Sequence, residues 1–362
     1  MTSKLILENM RYRPLRSLLS ALLIAIPVTL ILTLVGIAEG LLQESAKRTR
    51  GAGADILLRP PNSSLIGFSA ASMLQGFVPW LEKQPHVTLA LGVAIAQVSG
   101  VTSACGVDIQ KFARMSGGFD YIEGGPFQQR DDVLIDDYYA RQQHVHVGDH
   151  VTMFNQKWRV AGVFASGKLS HIVLPLEVVQ DLLGSTGKLS QIYVKLDNPA
   201  NTPLVMEALK DTNLKIYSME DIMSQVSVQN VPGLRSFINV MIGVATVIAF
   251  AVVCLSMYMA VLQRTREIGI LKSLGASRAY VLRLVVTEAF AMGVAGTVLG
   301  IGMSFGGRWL IHTFVPASVT QAIVYDWWLR AGAIALAASL LGALYPGLRA
   351  ARQDPIEALA YE

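Results

Sequence analysis

Long uncharged stretches of apolar residues alternate with polar, charge-bearing segments along this chain. The first stretch covers residues 18–38, and as a helix its 21 residues are about 31 Å long, close to the roughly 30 Å hydrocarbon core of a bilayer. Three more uncharged stretches lie at residues 237–262, 289–307 and 331–348. The pattern predicts four transmembrane helices. The first ends near residue 40 and precedes a long polar segment, and the other three follow that segment.

The polar segment, residues 41–235, shows short apolar runs separated by Gly, Pro and Asp. These runs predict an α+β domain inserted between the first and second transmembrane helices. Residues 60–76 have no clear period, and we interpret them as a mobile or partner-contacting segment. The predicted strands cover 55–59, 133–136, 150–154, 157–164, 171–174 and 191–195, and the predicted helices cover 137–143, 176–183 and 204–212.

The composition agrees with a membrane protein. Hydrophobic residues make up 52% of the chain and charged residues only 15%, and the mean hydropathy is +0.45, which excludes an ordinary soluble protein of this size. Two cysteines exclude a disulfide framework. The net charge of +4 is too small to indicate a nucleic-acid-binding surface, so no nucleic acid partner is expected.

Basic residues flank the predicted spans unevenly. The loop between the third and fourth spans carries only Arg308 and Arg330. The positive-inside rule therefore places both termini and the 263–288 loop in the cytoplasm, and residues 41–235 outside. The basic residues on the predicted cytoplasmic side are Lys4, Arg11, Arg13, Arg16, Arg264, Arg266, Lys272, Arg278, Arg283, Arg349 and Arg352.

Two kinds of site chemistry have weak support. Histidines cluster beside Asp149, which is a spacing that can serve a metal, but no acidic or cysteine partner has an established spacing, and no metal site is expected. Residues 184–188 superficially resemble a phosphate-binding loop, but the required Gly and Ser or Thr are replaced by Leu182 and Leu189, so no nucleotide site is expected. The clustered histidines are His144, His146, His150 and His171.

The predicted spans contain no Asp, Glu, Lys, Arg or His, which argues against a proton-coupled secondary transporter. The third span contains two pairs of glycines at four-residue spacing, which let helix backbones approach closely. This packing serves either neighbouring helices of the same subunit or a subunit interface. The glycines are Gly296 with Gly300 and Gly302 with Gly306.

The loop after the second span predicts a short amphipathic helix at about 264–275. Ile268, Leu271 and Leu274 are spaced as one helical face, and Gly275 suits the position after the helix end. Such a helix either lies among lipid headgroups or docks a soluble partner, and the residues alone leave both possibilities open.

Residues 264–278 read Arg-Thr-Arg-Glu-Ile-Gly-Ile-Leu-Lys-Ser-Leu-Gly-Ala-Ser-Arg, and 345–359 read Tyr-Pro-Gly-Leu-Arg-Ala-Ala-Arg-Gln-Asp-Pro-Ile-Glu-Ala-Leu. Both resemble motifs of the MacB/FtsX-like superfamily of ABC transporter permeases. Residues 133–136, 147–151, 160–164 and 173–176 look like its periplasmic core, and residues 1–17 are similar to its cytoplasmic amphipathic helix. The resemblance implies a periplasmic core domain at 41–235 and an FtsX-like permease domain at 236–362.

The same resemblance implies a multi-pass protein of the bacterial inner membrane that forms a homodimer and docks cytoplasmic ABC ATPase subunits. No fused ATPase domain is expected in this chain, so it is expected neither to be an enzyme nor to hold a cofactor, and ATP and Mg²⁺ are expected to bind to the partner. The family's coupling helix corresponds to residues 264–275. The residues expected to contact the ATPase are Arg266, Glu267, Ile268, Gly269, Leu271, Lys272, Gly275 and Ala276.

The expected function is mechanotransmission: ATP hydrolysis moves the outer domain, and an amphiphilic or hydrophobic substrate is exported or extracted. One alternative is an FtsX-like regulator that activates a cell-wall hydrolase, and another is a lipoprotein-release permease. Membrane lipid and a periplasmic adaptor or hydrolase are the further partners that the resemblance implies.

Overall fold

The computed structural model describes residues 14–61, 63, 72–99, 102–225, 232–314 and 319–353. The chain divides into two compact units. The helical unit contains the described residues up to Glu39, Pro232–Leu310 and those from Gln321 onward, and the sheet domain contains Gly40–Val231 and Ile311–Thr320. Most of the predicted amphipathic helix at 1–17, and residues 62 and 64–71 of the 60–76 segment, lie outside the described residues.

The first part of the chain forms one long helix and then a mixture of strands and short helices. In order these are α1 (Pro14–Arg50), β1 (Ile56–Arg59), β2 (Met73–Leu74), α2 (Phe77–Leu81), β3 (Val87–Ser99), β4 (Thr102–Val107), α3 (Ile109–Ser116), β5 (Tyr121–Gly124), β6 (Asp132–Asp136), α4 (Asp137–Gln143), β7 (His150–Met153), β8 (Gln156–Phe164), β9 (Ile172–Pro175), α5 (Leu176–Leu182), β10 (Lys188–Leu189), β11 (Gln191–Leu196), α6 (Thr202–Ala208), β12 (Lys215–Ser218) and α7 (Met219–Gln225).

The rest of the described chain is helical. It consists of α8 (Pro232–Gln263), α9 (Thr265–Ser273), α10 (Arg278–Phe314) and α11 (Tyr325–Arg352). Four of the described helices, α1, α8, α10 and α11, are long and apolar enough to cross a membrane, as the sequence predicts. The predicted fold class, four such helices with a mixed helix and strand domain between the first two, is confirmed.

The sheet domain is built on one ten-stranded sheet. Its strand order is β12-β1-β11-β3-β4-β9-β6-β8-β5, with β7 also paired to β8. The β4–β9 and β6–β8 pairs are parallel and the remaining pairs antiparallel. β2 and β10 form a separate two-stranded sheet.

Strand β3 shows how the core is made. Leu91 and Val93 belong to one hydrophobic cluster and Ala90 and Ala94 to clusters on the opposite face, because successive strand residues point to opposite sides. Helix α3 covers the first face, and α2, α5 and α6 cover the other. A strand buried on both faces shows no alternation of polar and apolar residues, which is why the sequence pattern misses β3 and its neighbour β4.

The predicted strands in the sheet domain correspond to β1, β6, β7, β8, β9 and β11, each with its ends within about one residue of the prediction. The predicted helix at 137–143 is observed as α4 and that at 176–183 as α5. The predicted helix at 204–212 is instead split into α6 and a 3₁₀ turn at Lys210–Thr212. Besides β3 and β4, the pattern misses β2, α2, α3, β5, β10, β12 and α7.

The long helices extend beyond the uncharged stretches that predict them. Helix α1 continues to Arg50 and α10 begins at Arg278, because charge ends a hydrophobic stretch without ending a helix. In the helical unit, α11 packs closely on α8 at Gly342, where an added Cβ would lie 2.9 Å from the carbonyl oxygen of Phe250. Ser20 of α1 and Ser256 of α8 are hydrogen-bonded at 2.8 Å. Small residues thus bring these helices together.

Candidate functional site

The short helix α9 follows α8 directly and has a well-defined end. Gly275 adopts a left-handed backbone with φ of +93°, which glycine reaches without strain. The Ala276 N–H donates to the Leu271 carbonyl at 3.0 Å and the Gly275 N–H to the Lys272 carbonyl at 3.0 Å. This is the Schellman arrangement that stops a helix, and the predicted role of Gly275 as a helix-ending residue is confirmed.

An ion pair fixes the start of α9. Arg264, the residue before the helix, places its guanidinium 3.2 Å from the Glu288 carboxylate of α10, and both side chains are largely buried. Glu288 lies one residue before the uncharged stretch at 289–307. The pair therefore joins the start of α9 to α10 at the end of an apolar segment.

A lysine fixes the other end of α9. The Lys272 Nζ donates to the carbonyl oxygen of Ala351 at 3.1 Å and also to that of Gln353. These carbonyls lie at the C-terminal end of α11, where a cation is favoured because the last carbonyls of a helix lack intrahelical donors. Lys272, expected from the resemblance to contact an ATPase, makes these contacts within its own chain.

The eight residues expected to contact an ATPase lie on different sides of α9. Arg266, Glu267 and Gly275 are exposed, and Leu271, Lys272 and Ala276 are half-buried. Ile268 and Gly269 are buried.

Two apolar residues outside the expected set are exposed on α9. Ile270 is 44% exposed and Leu274 is 80% exposed. Glu267, Ile270 and Leu274 are spaced three and four residues apart, so they lie on one face of a helix. This spacing is the feature of the sequence that could have identified the face. Arg266 and Ser273 are exposed as well, but Glu267, Ile270 and the C-cap residue Leu274 form the exposed face that presents apolar area to another molecule.

The two glycine pairs of α10 behave differently. A Cβ added to Gly296 would lie 2.6 Å from Ile24 Cβ, and one added to Gly300 would lie 2.7 Å from Val28 Cβ, so this pair packs against α1 of the same chain. A Cβ at Gly302 or Gly306 would meet none of the described atoms within 4 Å.

The four clustered histidines do not come together. His144, His146 and His150 are exposed around the turn between α4 and β7, whereas His171 is buried. Among the described residues, no group of three or more His, Cys, Asp or Glu side chains is arranged to hold a metal ion.

His171 instead belongs to a buried polar cluster at the end of α1. Its Nδ1 lies 2.5 Å from the Asp136 carboxylate, and Arg48 of α1 is hydrogen-bonded to the same imidazole. Asp136 also accepts from the Tyr139 N–H at 2.8 Å and so caps α4. Arg48 pairs in addition with Glu44 at 3.2 Å. The sequence groups His171 with the other clustered histidines and gives no sign of these contacts, which join residues far apart in the chain.

Further contacts hold the last turn of α1 in the sheet domain. The Leu169 N–H donates to the Arg48 carbonyl at 3.2 Å. The Gln191 Nε2 donates to the Tyr193 hydroxyl at 2.8 Å, and the Thr49 side chain lies beside that hydroxyl. Burial, reinforced by nearby Cys105, raises the pKa of Tyr193 well above its ordinary value.

The thiol of Cys105 has low reactivity. Burial raises the pKa of its thiol to about 12, and the opposing effect of Arg48 is smaller. The thiol is therefore protonated and unreactive at neutral pH.

The chain matches two protein families over most of its length. Residues 17–212 match the MacB-like periplasmic core domain, and residues 239–355 match the FtsX-like permease C-terminal domain. The first match covers more than half of the chain and the second covers the helices α8 to α11.

Curated relatives give the same answer. The chain is 27% identical over 271 residues to the uncharacterized ABC transporter permease MJ1507 of Methanocaldococcus jannaschii, covering 68% of this chain and 66% of that protein. It is 23% identical over 399 aligned positions to the macrolide export ATP-binding/permease protein MacB of Escherichia coli, covering 98% of this chain and 60% of that protein. The chain thus spans about 60% to 66% of the length of these relatives.

Solved structures of related outer domains were also found. The periplasmic region of MacB from Actinobacillus actinomycetemcomitans is 16% identical, covers 50% of this chain and 96% of its own, and superimposes with a TM-score of 0.38. The extracellular domain of the transporter YknZ from Gram-positive bacteria is 15% identical, covers 46% and 99%, and has a TM-score of 0.35. On the two family matches and the relatives, the chain belongs to the ABC transporter permeases that combine a MacB-like periplasmic core domain with an FtsX-like permease domain.

Proposed function

We propose that this chain is a permease subunit that converts ATP hydrolysis by a separate cytoplasmic ATPase into movement of the sheet domain. Two copies of the chain form the membrane part of the transporter, with both termini in the cytoplasm of a bacterial cell. The substrate is an amphiphilic or hydrophobic molecule exported or extracted at the outer face of the membrane.

The exposed face of α9 carries this proposal. Ile270 and Leu274 offer apolar area of the kind that fills a groove on a partner, and Glu267 beside them adds a charge that fixes the register. The ion pair at Arg264 and the Lys272 contacts hold α9 against α10 and α11. Movement of an ATPase docked on this face would therefore be passed to two long helices rather than lost in a loose loop.

The end of α1 supports the second half of the proposal. Helix α1 is continuous from Pro14 to Arg50, so its residues belong to the helical unit up to Glu39 and to the sheet domain from Gly40. Its last turn is held by the Arg48 side chain and by the main chain. A force along α1 would thus reach strands β6 and β9 directly.

The test uses the full chain, tagged and extracted from native membranes in mild detergent, with its ATPase identified by mass spectrometry. We expect Leu274→Gln and Glu267→Lys to remain in the membrane, to lose the co-purifying ATPase, and to lose stimulated ATP hydrolysis. Because Leu274 is 80% exposed, its replacement leaves the fold unchanged.

Leu329→Gln is the matched control. Leu329 is 83% exposed and lies beyond the other end of α10, near the start of α11. It should retain the ATPase at the wild-type level. The proposed docking face would be contradicted if Leu329→Gln lost the ATPase as fully as Leu274→Gln does. It would also be contradicted if neither Leu274→Gln nor Glu267→Lys lost the ATPase.

A further inference from the structure

A cleft in the helical unit lies where α10 and α11 are connected. The cleft is open to solvent, the space between its walls together with its mouth is about 320 Å³, and α1, α10, α11 and the segment before α11 all contribute to those walls. The lining residues that matter for the argument are Leu32, Phe305, Arg308, Gln321, Trp327 and Trp328.

Close main-chain packing shapes one wall of the cleft. The Ala322 N–H donates to the carbonyl oxygen of Gly36, inside α1, at 2.9 Å. A Cβ at Gly36 would lie 2.7 Å from the Ala322 oxygen and 2.9 Å from Gln321 Cγ. The segment that carries Gln321 is therefore held directly against α1 at a glycine, and the position of Gln321 is set by the backbone.

Two polar groups in the cleft have no partner among the residues that the structure describes. Arg308 is exposed and makes no ion pair or hydrogen bond with any described residue. Gln321 Oε1 is buried and accepts no hydrogen bond from the described part of the chain. A buried oxygen without a donor costs on the order of 1–3 kcal/mol, so a molecule that supplies a donor here gains affinity. The cleft thus presents one positive charge and one acceptor.

The surroundings of the cleft are those of a membrane interface. Arg308 is the first charged residue after the uncharged stretch at 289–307. Phe305 and Trp328 pack edge to face with ring centroids 5.7 Å apart, and Tyr325 lies 5.0 Å from the same Trp328 ring. Tryptophan and tyrosine concentrate at the level of lipid headgroups, and the apolar Leu32 and Phe305 suit an acyl chain.

We propose that this cleft binds the headgroup of a phospholipid, with the phosphate paired to Arg308 and a headgroup N–H or O–H donating to Gln321 Oε1. Ethanolamine and glycerol headgroups carry such a donor, whereas choline has none. The site therefore prefers phosphatidylethanolamine and phosphatidylglycerol to phosphatidylcholine. The proposal does not rest on the docking of an ATPase by α9.

The experiment is native mass spectrometry of the purified full chain with equal amounts of the three lipids. We expect phosphatidylethanolamine and phosphatidylglycerol to be retained about fivefold more than phosphatidylcholine, the effect of one hydrogen bond to an otherwise unpaired group. Gln321→Leu should abolish this preference, and Arg308→Gln should reduce retention of all three lipids.

Arg330→Gln is the matched control, because Arg330 lies in the same region but stacks on the Trp327 ring at 5.3 Å and does not line the cleft. It should bind lipid as the wild type does. Equal retention of the three lipids by the wild type overturns the proposal by itself, even where a variant fails to fold. Displacement of bound lipid by inorganic phosphate or free phosphoethanolamine would overturn the lipid assignment, since it would indicate an anion site without a role for the acyl chains.

Discussion

The Nδ1 of His171 lies 2.5 Å from the Oδ2 of Asp136, and both side chains are buried inside the sheet domain. Arg48 reaches the same imidazole from the end of α1. A charged group that is buried away from water is stable only when it keeps its partners. Removing one member of the cluster therefore leaves the remaining groups buried with their desolvation cost uncompensated. This relationship makes the cluster a sensitive point in the attachment of α1.

Asp136→Asn is expected to lower the free energy of unfolding of the sheet domain by about 3 kcal/mol, because the charge is removed from a buried cluster. The asparagine still accepts from the Tyr139 N–H, so the cap of α4 is retained. Pulse proteolysis of the full chain in urea, with mass spectrometry of fragments from residues 40–231, measures the change.

Arg141→Gln serves as its control. Arg141 pairs with Asp137 at 2.7 Å on the surface of α4, where such pairs contribute about 0.5 kcal/mol or less. An Asp136→Asn protein that unfolds at the same urea concentration as the control would show that the cluster does not stabilise the domain.

Asp132 gives a prediction for the dependence of stability on pH. Burial alone would favour its protonated form, but hydrogen bonds from the Gln128 and Gln129 N–H groups and the Arg159 guanidinium outweigh burial, and the pKa of Asp132 lies below its ordinary value. The unfolded chain therefore takes up a proton at a higher pH than the folded chain does. The stabilisation is complete above the unfolded pKa of about 3.9 and is lost as the pH falls through the folded pKa.

At neutral pH, the wild type is expected to be about 1–2 kcal/mol more stable than Asp132→Asn, since hydrogen bonds to a charged group are lost. The difference should close as the pH falls below about 4. Acid titration followed by near-ultraviolet circular dichroism measures both proteins. Arg159→Gln should move the acid transition to higher pH, and parallel curves for wild type and Asp132→Asn would refute the assignment.

The sequence predicts most of the fold because its strongest signals are local. Four uncharged stretches are enough to locate α1, α8, α10 and α11, and half-buried strands such as β7 show their alternation directly. Strand β3 is missed because helices cover both of its faces and remove the alternation. The ends of α1 and α10 are misplaced because helices continue into polar surroundings where hydropathy no longer reports them.

The functional residues are harder to predict from the chain alone. Helix α9 carries apolar residues on both sides, with Ile268 on one and Ile270 on the other, so its periodicity does not reveal which side is buried. That choice is made by contacts with α10 and α11 through Arg264 and Lys272, which join residues 24 or more positions apart. His171 is similar, because its partners Asp136 and Arg48 are distant in sequence.

The Arg264–Glu288 pair is expected to hold α9 in place. Glu288→Ala leaves a largely buried guanidinium without its carboxylate and should destabilise the helical unit by about 2 kcal/mol. Replacing both residues with Met should recover most of this loss, because an apolar pair of similar volume has no charge to desolvate. Thermal unfolding of the wild type, Arg264→Met, Glu288→Met and the double Met variant in detergent measures the coupling; strictly additive effects would exclude it.

The glycines of α10 allow a comparison within a single helix. Gly300→Val places a Cβ about 2.7 Å from Val28 Cβ and forces α1 and α10 apart, at a cost of about 1–3 kcal/mol. Gly302→Val introduces the same side chain two residues later, where no described atom lies within 4 Å. The temperature of thermal unfolding in detergent should therefore be lowered by Gly300→Val and left unchanged by Gly302→Val.

Oligomer size distinguishes the two environments that Gly302 and Gly306 can have. If both face lipid, valine at either position leaves the mass measured by light scattering unchanged. If they form the contact between two copies of the chain, Gly302→Val and Gly306→Val should shift the protein from dimer to monomer without lowering the stability of the monomer, because close helix approach depends on the missing side chain. We expect the second result, since Gly296 and Gly300 already supply the close approach to α1 that the subunit itself requires. A dimer that survives both substitutions would place the subunit contact elsewhere.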